Sequence, residues 1–327
     1  MKKILVTGGA GFIGSKVCYD LLDKNYKIVV IDNLSNSTKE NINKKIIFYN
    51  CDLKNIYRID KIFQKHKFDA VFHFAALTNV SESSKYRNKY YLNNVVVTKN
   101  ILNLIKKFKI KYFVFSSSAA VYGNIAISPV HENNKIRPIS NYGKNKAECE
   151  VLIKNFSSRY DFNYAILRYF NVIGADFKLR TGQLSKGSLF KNLANNLANN
   201  KYSINIYGKR LKTKDGTPVR DYIDINDLSS LHILALKKLI KKKSLLINCG
   251  YNKGYTVLEI VKEFSEVIKK DIKIKFLRKR LDDISQIYCS NKRLLKIFPN
   301  WKRKYFIKDS IRNMLNWEKK IKKNFKF

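Results

Sequence analysis

Acidic residues are scarce in this 327-residue chain: 25 Asp and Glu stand against 65 Lys and Arg, a formal net charge of +40 at pH 7. Such a balance can mark a nucleic-acid binder. Here, however, the lysines run through the whole length, mixed with asparagine and isoleucine as in Asn195-Asn196-Leu197-Ala198-Asn199-Asn200-Lys201. The denser runs, Lys241-Lys242-Lys243 and Lys319-Lys320-Ile321-Lys322-Lys323, fall at helix ends or at the C-terminus, where cations suit the helix dipole. The charge therefore reads as solvated surface, not as a face for nucleic acid or anionic membrane, and it still favours capture of an anionic ligand.

Cysteine is also sparse. The five present, Cys18, Cys51, Cys149, Cys249 and Cys289, are odd in number and show no paired spacing, which argues against a disulfide scaffold and for a reduced, cytoplasmic protein. The four histidines, His66, His73, His131 and His232, are scattered without metal-ligand spacing, so no metal site is expected. No apolar stretch reaches the roughly 18 residues of a membrane span. The N-terminus leads straight into a strand pattern in place of a signal sequence. With 45% hydrophobic residues, the chain is long enough for two lobes.

What is present begins with Val6-Thr7-Gly8-Gly9-Ala10-Gly11-Phe12-Ile13-Gly14, which follows the apolar run Ile4-Leu5-Val6 and opens a segment with helical spacing at Val17, Leu21 and Leu22. Glycines at Gly8, Gly11 and Gly14 let the backbone turn tightly and approach a pyrophosphate, whose charge then rests on the N–H groups of a helix start. A second apolar run ends at Asp32, 18 residues past Gly14. A carboxylate there can accept from both adenosine ribose hydroxyls and would repel a 2′-phosphate, so NAD is favoured over NADP. Asp52 ends a third run and can either meet the adenine or cap the next helix.

Apolar runs at Ile4 to Val6, Ile28 to Ile31, Ile46 to Tyr49, Ala70 to Phe74, Tyr112 to Ser116 and Tyr164 to Arg168 alternate with helix-length stretches. This is the pattern of an α/β fold with a doubly wound parallel sheet, a Rossmann domain. The Gly loop, Asp32, Asp52, Phe74-Ala75-Ala76 and Ser116-Ser117-Ser118 all fall at strand C-terminal ends, where such sheets bind ligands. Past Arg168 the pattern loosens. The expected division is an NAD-binding domain over 1–170 and a smaller mixed α/β substrate domain over 171–327, with segments 219–227 and 245–250 as candidates to return to the first.

Tyr142 and Lys146 stand four residues apart in Tyr142-Gly143-Lys144-Asn145-Lys146, which places phenol and ammonium on one helix face. A free phenol, with a pKa of about 10, is a poor base near neutrality; a nearby cation and a positive nicotinamide ring would stabilise its phenolate. Tyr142 is then a general base, Lys146 its cation and a holder of the nicotinamide ribose, and Ser118 a hydrogen-bond partner for the same substrate hydroxyl.

These features resemble the extended short-chain dehydrogenase/reductases and, within them, the UDP-glucose 4-epimerase family. The matching stretches include Leu5 to Ser15, Asp32-Asn33-Leu34-Ser35-Asn36-Ser37, His73-Phe74-Ala75-Ala76, Tyr90 to Val95, Phe115 to Gly123, Leu167-Arg168-Tyr169-Phe170-Asn171 and Asp215-Gly216-Thr217-Pro218-Val219-Arg220-Asp221-Tyr222. The resemblance implies interconversion of UDP-galactose and UDP-glucose through a transient 4-keto sugar, with Ser118, Tyr142 and Lys146 as the catalytic set. It implies cofactor contacts from Gly8, Gly11, Phe12, Ile13, Gly14, Asp32, Asn33, Asp52, Leu53, Phe74, Ala75, Asn94, Tyr142, Lys146 and Phe170. It implies substrate contacts from Ser118, Asn171, Leu189, Tyr207, Arg220, Arg280 and Asp283, and a homodimer.

Three positions depart from that pattern. Thr78 stands where the family often has a cofactor-contacting lysine, which implies weaker NAD retention. Ser188 replaces an asparagine before Leu189. Ile287, four residues after Asp283, occupies a gatekeeper position and is expected to favour plain hexoses over N-acetylated sugars. A 4-epimerase for another UDP-sugar, acting on an N-acetylhexosamine, uronic acid or pentose, is the alternative. A basic nucleic-acid-binding protein on an NAD fold is a remote one. Dehydration is disfavoured, because Ala119-Ala120-Val121-Tyr122 carries no acid to protonate a departing hydroxyl.

Overall fold

The apolar runs of the first half become strands because they are too short for helices and are covered on both faces, as parallel sheets require. In the computed structural model, which describes residues 2–125, 128–185, 187–241, 243–278 and 284–324, they form β1 (Lys3–Thr7), β2 (Lys27–Asp32), β3 (Ile47–Asn50), β4 (Ala70–His73), β5 (Tyr112–Ser118) and β6 (Asn163–Tyr169). With the strand Leu245–Cys249 they make one seven-stranded sheet, in the order Leu245–Cys249, β6, β5, β4, β1, β2, β3. The pairs from β6 to β3 are all parallel. Strand order reverses between β1 and β4, and a crevice opens beyond the carboxyl ends of strands at such a switch point. The sequence expectation of a doubly wound sheet is met.

The chain divides into two compact units, the first comprising Met1–Gly123, Glu132–Tyr169 and Ser229–Ile247, the second Asn124–His131, Phe170–Leu228 and Asn248–Phe327. The core of the first packs Val29, Val71, Phe113 and Ile166 from the sheet against Ile59 and Phe63, Ile101 and Ile105, and Cys149 and Ile153 from helices. Each such side chain contributes about 1.5–3 kcal/mol when fully buried. Helix Val97–Lys107 shows the division clearly: Ile101, Leu102, Leu104 and Ile105 are buried, while Lys106 and Lys107 close its last turn in solvent.

The second unit is built from small sheets. Asn171–Ile173 pairs with Tyr222–Asp224; Val219–Arg220 lies between Tyr255–Thr256 and Gln286–Ile287; Ser203–Tyr207 pairs with Lys273–Leu277. Its core gathers Phe190, Leu193, Phe264, Ile311 and Met314. Among the described residues no helix is long and apolar enough to cross a membrane. All five cysteines are free and buried.

Candidate functional site

The glycine loop connects β1 to helix Phe12–Leu22. Gly8 adopts φ +69°, and a Cβ there would stand 2.5 Å from the Ala75 backbone nitrogen, so only glycine lets the loops after β1 and β4 meet. The helix start at Gly11 has no side-chain cap, which leaves its first N–H groups for an anion. A cleft follows, lined by Gly8, Gly11, Asp32, Asn33, Asp52, Leu53, Phe74 and Ala75 among others. Phe12 and Ile13 open the helix and Gly14 is buried behind them.

Asp32, at the end of β2, accepts from the Ala10 N–H at 3.0 Å, the Leu34 N–H at 2.9 Å and the Ser37 hydroxyl at 3.1 Å. These bonds fix the carboxylate; Oδ1 already accepts two of them, and the remaining acceptor capacity for a ribose is on Oδ2, which accepts one. Asn33 accepts from the Ser35 N–H. Asp52 does not cap the next helix: Asn55 does, accepting from the Arg58 N–H at 3.1 Å, while Asp52 closes a turn onto the Lys54 N–H. A backbone cradle that excludes Cβ atoms, an uncapped helix start and a fixed carboxylate fit a dinucleotide.

On the far side of the cleft, Asn94 lies in a π-helical turn, Leu92–Val96. Its amide accepts from the Leu77 N–H at 2.8 Å and donates to the Leu77 carbonyl at 2.9 Å, which clamps the segment after Ala75-Ala76. Thr98 and Cys149 both donate to the Asn94 carbonyl. Below, His73 lies 2.6 Å from Thr7 Oγ1 through Nδ1 and 3.1 Å from Thr98 Oγ1 through Nε2. Because Thr98 already donates to Asn94, His73 donates from Nε2 and accepts from Thr7 at Nδ1, the neutral tautomer. Burial, then the charge of Lys146, holds its pKa down at about 3. Thr78 is exposed just beyond the clamp.

The catalytic candidates converge at the C-terminal end of β5. Ser118 ends the strand and accepts from the Ala120 N–H at 3.2 Å, starting a short helical turn. Helix Asn141–Arg159 then begins with Ser140 as its cap, accepting from the Gly143 N–H at 3.1 Å. Ser83 accepts from the Tyr142 N–H through its hydroxyl and from Asn141 Nδ2 through its carbonyl. The Ser118 hydroxyl lies near enough to the Tyr142 phenol to favour its ionised form. Lys146 donates from Nζ to the Ser116 carbonyl at 2.6 Å, with Nζ 4.7 Å from the Phe115 ring centre and 5.9 Å from that of Tyr142.

Burial pushes the Tyr142 phenol up to about 12, against the opposing influence of the Ser118 hydroxyl. Burial likewise pulls Lys146 down to about 8, with Cys149 and Glu150 acting to raise it. The ammonium sits on the Ser116 carbonyl, and both groups have lost water, so burial dominates each shift. Lys146 nevertheless remains largely protonated at neutral pH.

In the second unit, Phe170 is buried and its N–H donates to the Cys249 carbonyl. Asn171 begins a strand, its N–H donating to the Asp221 carbonyl. Leu189 is the first residue of helix Leu189–Ala198, capped by the Ser188 hydroxyl. Tyr207 ends its strand with 37% of its surface exposed. Arg220 donates to the Val219 carbonyl at 2.9 Å and is in register with the buried Ile287. Asp221, pushed up by burial, receives the N–H groups of Tyr251, Asn252 and Cys289. Arg280 and Asp283 lie outside the described residues. Sequence reasoning missed Ser83, for which no local pattern speaks, and Glu150, which the spacing Tyr142, Lys146, Glu150 could have revealed.

Comparison with known proteins places these features in context. The family described as NAD dependent epimerase/dehydratase matches residues 4–250. The UDP-glucose 4-epimerase of Bacillus subtilis is 35% identical over 96% of this chain and 96% of its own. A bifunctional UDP-glucose 4-epimerase and UDP-xylose 4-epimerase of Pisum sativum is 34% identical over 97% and 96%. A crystal structure of the Stenotrophomonas maltophila UDP-glucose-4-epimerase, with bound NAD and formylated UDP-arabinopyranose, superposes with a TM-score of 0.94 at 31% identity, covering 99% of this chain and all of that one. With the glycine cradle, the fixed Asp32 and the Ser118, Tyr142 and Lys146 cluster all in place, the chain belongs to the NAD dependent epimerase/dehydratase family.

Proposed function

We propose that this protein interconverts UDP-galactose and UDP-glucose by inverting C4, with NAD as its cofactor. The observation that carries this reading is the convergence of Ser118, Tyr142 and Lys146 at the end of β5, in the same unit as the glycine-lined cleft. The nearly full-length likeness to UDP-glucose 4-epimerases supports it.

Bound NAD+ supplies the acceptor, and afterwards the donor, for the C4 hydrogen with its electron pair. The chain's own residues handle the proton. Tyr142 takes the proton from O4 as general base, a role worth roughly 10²- to 10⁴-fold in rate. Ser118 holds the same hydroxyl. Lys146 supplies the cation beside the phenolate, in addition to its bond to Ser116. The transient 4-keto sugar presents its other face, and Tyr142 returns the proton to O4, so C4 inverts without net redox change. The buried phenol, resting high in the protein alone, titrates toward the working range when further positive charge is brought beside it.

In this reading Gly8, Gly11, Phe12, Ile13 and Gly14 hold the pyrophosphate and Asp32 with Asn33 the adenosine ribose. Asp52 and Leu53 meet the adenine, and Phe74, Ala75, Asn94 and Phe170 bound the remaining cofactor and sugar. Asn171, Leu189, Tyr207 and Arg220, with Arg280 and Asp283, take the UDP moiety; the planar fork of arginine suits phosphate oxygens. We further infer a cytoplasmic homodimer. Free buried cysteines support the reducing compartment, and Tyr91, Leu92 and Val151, each 43–55% exposed, leave apolar surface for a second copy.

A UDP-pentose 4-epimerase is the second reading: the Pisum sativum relative is named for UDP-xylose as well as UDP-glucose 4-epimerisation, and the Stenotrophomonas maltophila structure holds a UDP-pentose, though both carry the UDP-glucose 4-epimerase name and neither favours the pentose over the hexose. Incubating the purified protein separately with UDP-galactose, UDP-xylose and UDP-N-acetylgalactosamine distinguishes these. Turnover of UDP-galactose at least equal to that of UDP-xylose is expected; conversion of the pentose alone rejects the hexose assignment.

A further inference from the structure

The three consecutive serines at the end of β5 are each tied to one face of helix Asn141–Arg159. The Ser118 hydroxyl lies beside the Tyr142 phenol and favours its ionised form, the Ser116 carbonyl receives Lys146, and the Ser117 hydroxyl donates to Glu150 at 2.6 Å. Tyr142, Lys146 and Glu150 follow at intervals of four residues, one stripe along the helix. Glu150 and Arg168 are each 1% exposed, and Arg168 Nε and Nη2 donate to the two carboxylate oxygens of Glu150 at 2.8 and 2.6 Å. Arg168 comes from the adjacent strand β6, and its Nη1 also donates to the Tyr122 hydroxyl and the Glu132 carbonyl.

We infer that Glu150 is a positioning residue for the proposed epimerase site, locking the β5 end that carries Ser118 onto the helix that carries Tyr142 and Lys146. The inference rests on the epimerase reading and deepens it. A bidentate carboxylate–guanidinium pair is directional, so it fixes the helix against both β5 and β6 and not merely in depth. Nothing in that geometry requires an ion pair for packing alone; apolar side chains of similar volume fill such interiors without desolvating two charges.

Several groups face Lys146 among the described residues. Tyr142 and Cys149 are buried acids on its own helix, His73 on β4 is neutral, and β5 presents the Ser116 carbonyl and the Phe115 ring. Glu150, with Cys149, acts to raise the lysine against burial. Removing the Glu150 charge therefore makes Lys146 easier to deprotonate.

The test compares the wild-type NAD-loaded enzyme with Glu150→Gln and Arg168→Lys. Glu150→Gln retains volume and an acceptor for Ser117. It is expected to lower kcat for UDP-galactose by roughly tenfold or more, since small misplacements of reacting groups cost up to about 10². KM should change little, and the alkaline limb of the kcat profile should move acidward. Arg168→Lys loses the bidentate grip but keeps Glu150 charged, so kcat falls while the limb stays. A purely structural Glu150 would lower kcat at all pH with the limb unmoved, and that result overturns the inference, as does an unchanged kcat.

A second readout is independent of turnover. The ¹³Cε resonance of Lys146, assigned by its loss in Lys146→Met, is titrated in wild type and Glu150→Gln; an acidward shift is expected and an unmoved midpoint overturns the charge argument. Should Glu150→Gln fail to fold, Ser117→Ala removes one bond of the network, and unchanged kcat in that variant overturns the positioning role. A wild-type protein that converts no UDP-sugar, with the lysine titration nonetheless shifted in Glu150→Gln, would count against the epimerase reading and leave the Glu150–Lys146 coupling standing.

Discussion

Gly143 lies so close to Ala120 that a Cβ on it would stand 2.4 Å from the Ala120 carbonyl oxygen. Through this contact the first turn of the catalytic helix rests on the turn that follows Ser118, and Tyr142, one residue earlier, comes within reach of the Ser118 hydroxyl. Gly143→Ala is predicted to push the helix start away from β5 and to lower turnover by at least about tenfold. Turnover of the purified variant, with secondary structure checked by circular dichroism, tests this.

His73 makes acid stability a second test. Burial holds its pKa in the folded protein at about 3, below the ordinary histidine value of 6.5. The unfolded chain therefore binds an extra proton between those values, so stability rises with pH across that window and is lost as pH falls through it. From pH 6.5, where the unfolded histidine is half protonated, to pH 5 the loss from this group is about 1.7 kcal/mol. Urea unfolding at the two pH values should show this slope in wild type and a flatter one in His73→Asn.

Thr78 bears on cofactor retention. It is exposed immediately after Leu77, whose backbone Asn94 grips from both sides. Protein purified without added cofactor is expected to gain activity when NAD+ is supplied. Thr78→Lys should retain more NAD through gel filtration, and equal cofactor content in the two proteins would remove Thr78 from the account.

Ile287 concerns sugar choice. It is 6% exposed and paired in register with Arg220. Plain UDP-hexoses are expected to turn over at least about tenfold faster than their N-acetyl forms, a discrimination of about 1.4 kcal/mol that a branched side chain can supply by exclusion. Comparable turnover of UDP-N-acetylglucosamine would reject the gatekeeper role.

The parts of the fold and site that were legible in the sequence are those encoded locally. Apolar runs bounded by turns marked β1 to β6, because burial on both sheet faces leaves a continuous signature. The glycine loop and the Tyr142 and Lys146 spacing were legible because backbone conformation and helix periodicity follow from neighbouring residues. The π-helical turn that aims Asn94, the Ser83 grip on the start of the catalytic helix and the Glu150–Arg168 pair depend on residues far apart in sequence. So does the sign of the Tyr142 shift: the lysine four residues away was visible, but the burial that raises the phenol was not. Asp52 was ambiguous for the opposite reason, since Asn55 competes for the cap within the same four residues.

The central claim is tested most directly by following conversion of UDP-galactose to UDP-glucose by the purified, NAD-loaded protein and by Tyr142→Phe side by side, with bound NAD quantified in both. The account predicts conversion by the wild type and a loss of at least about 10² in turnover for the variant at equal NAD content. Near-normal turnover by Tyr142→Phe, or no conversion by a wild-type protein that holds NAD, would contradict it.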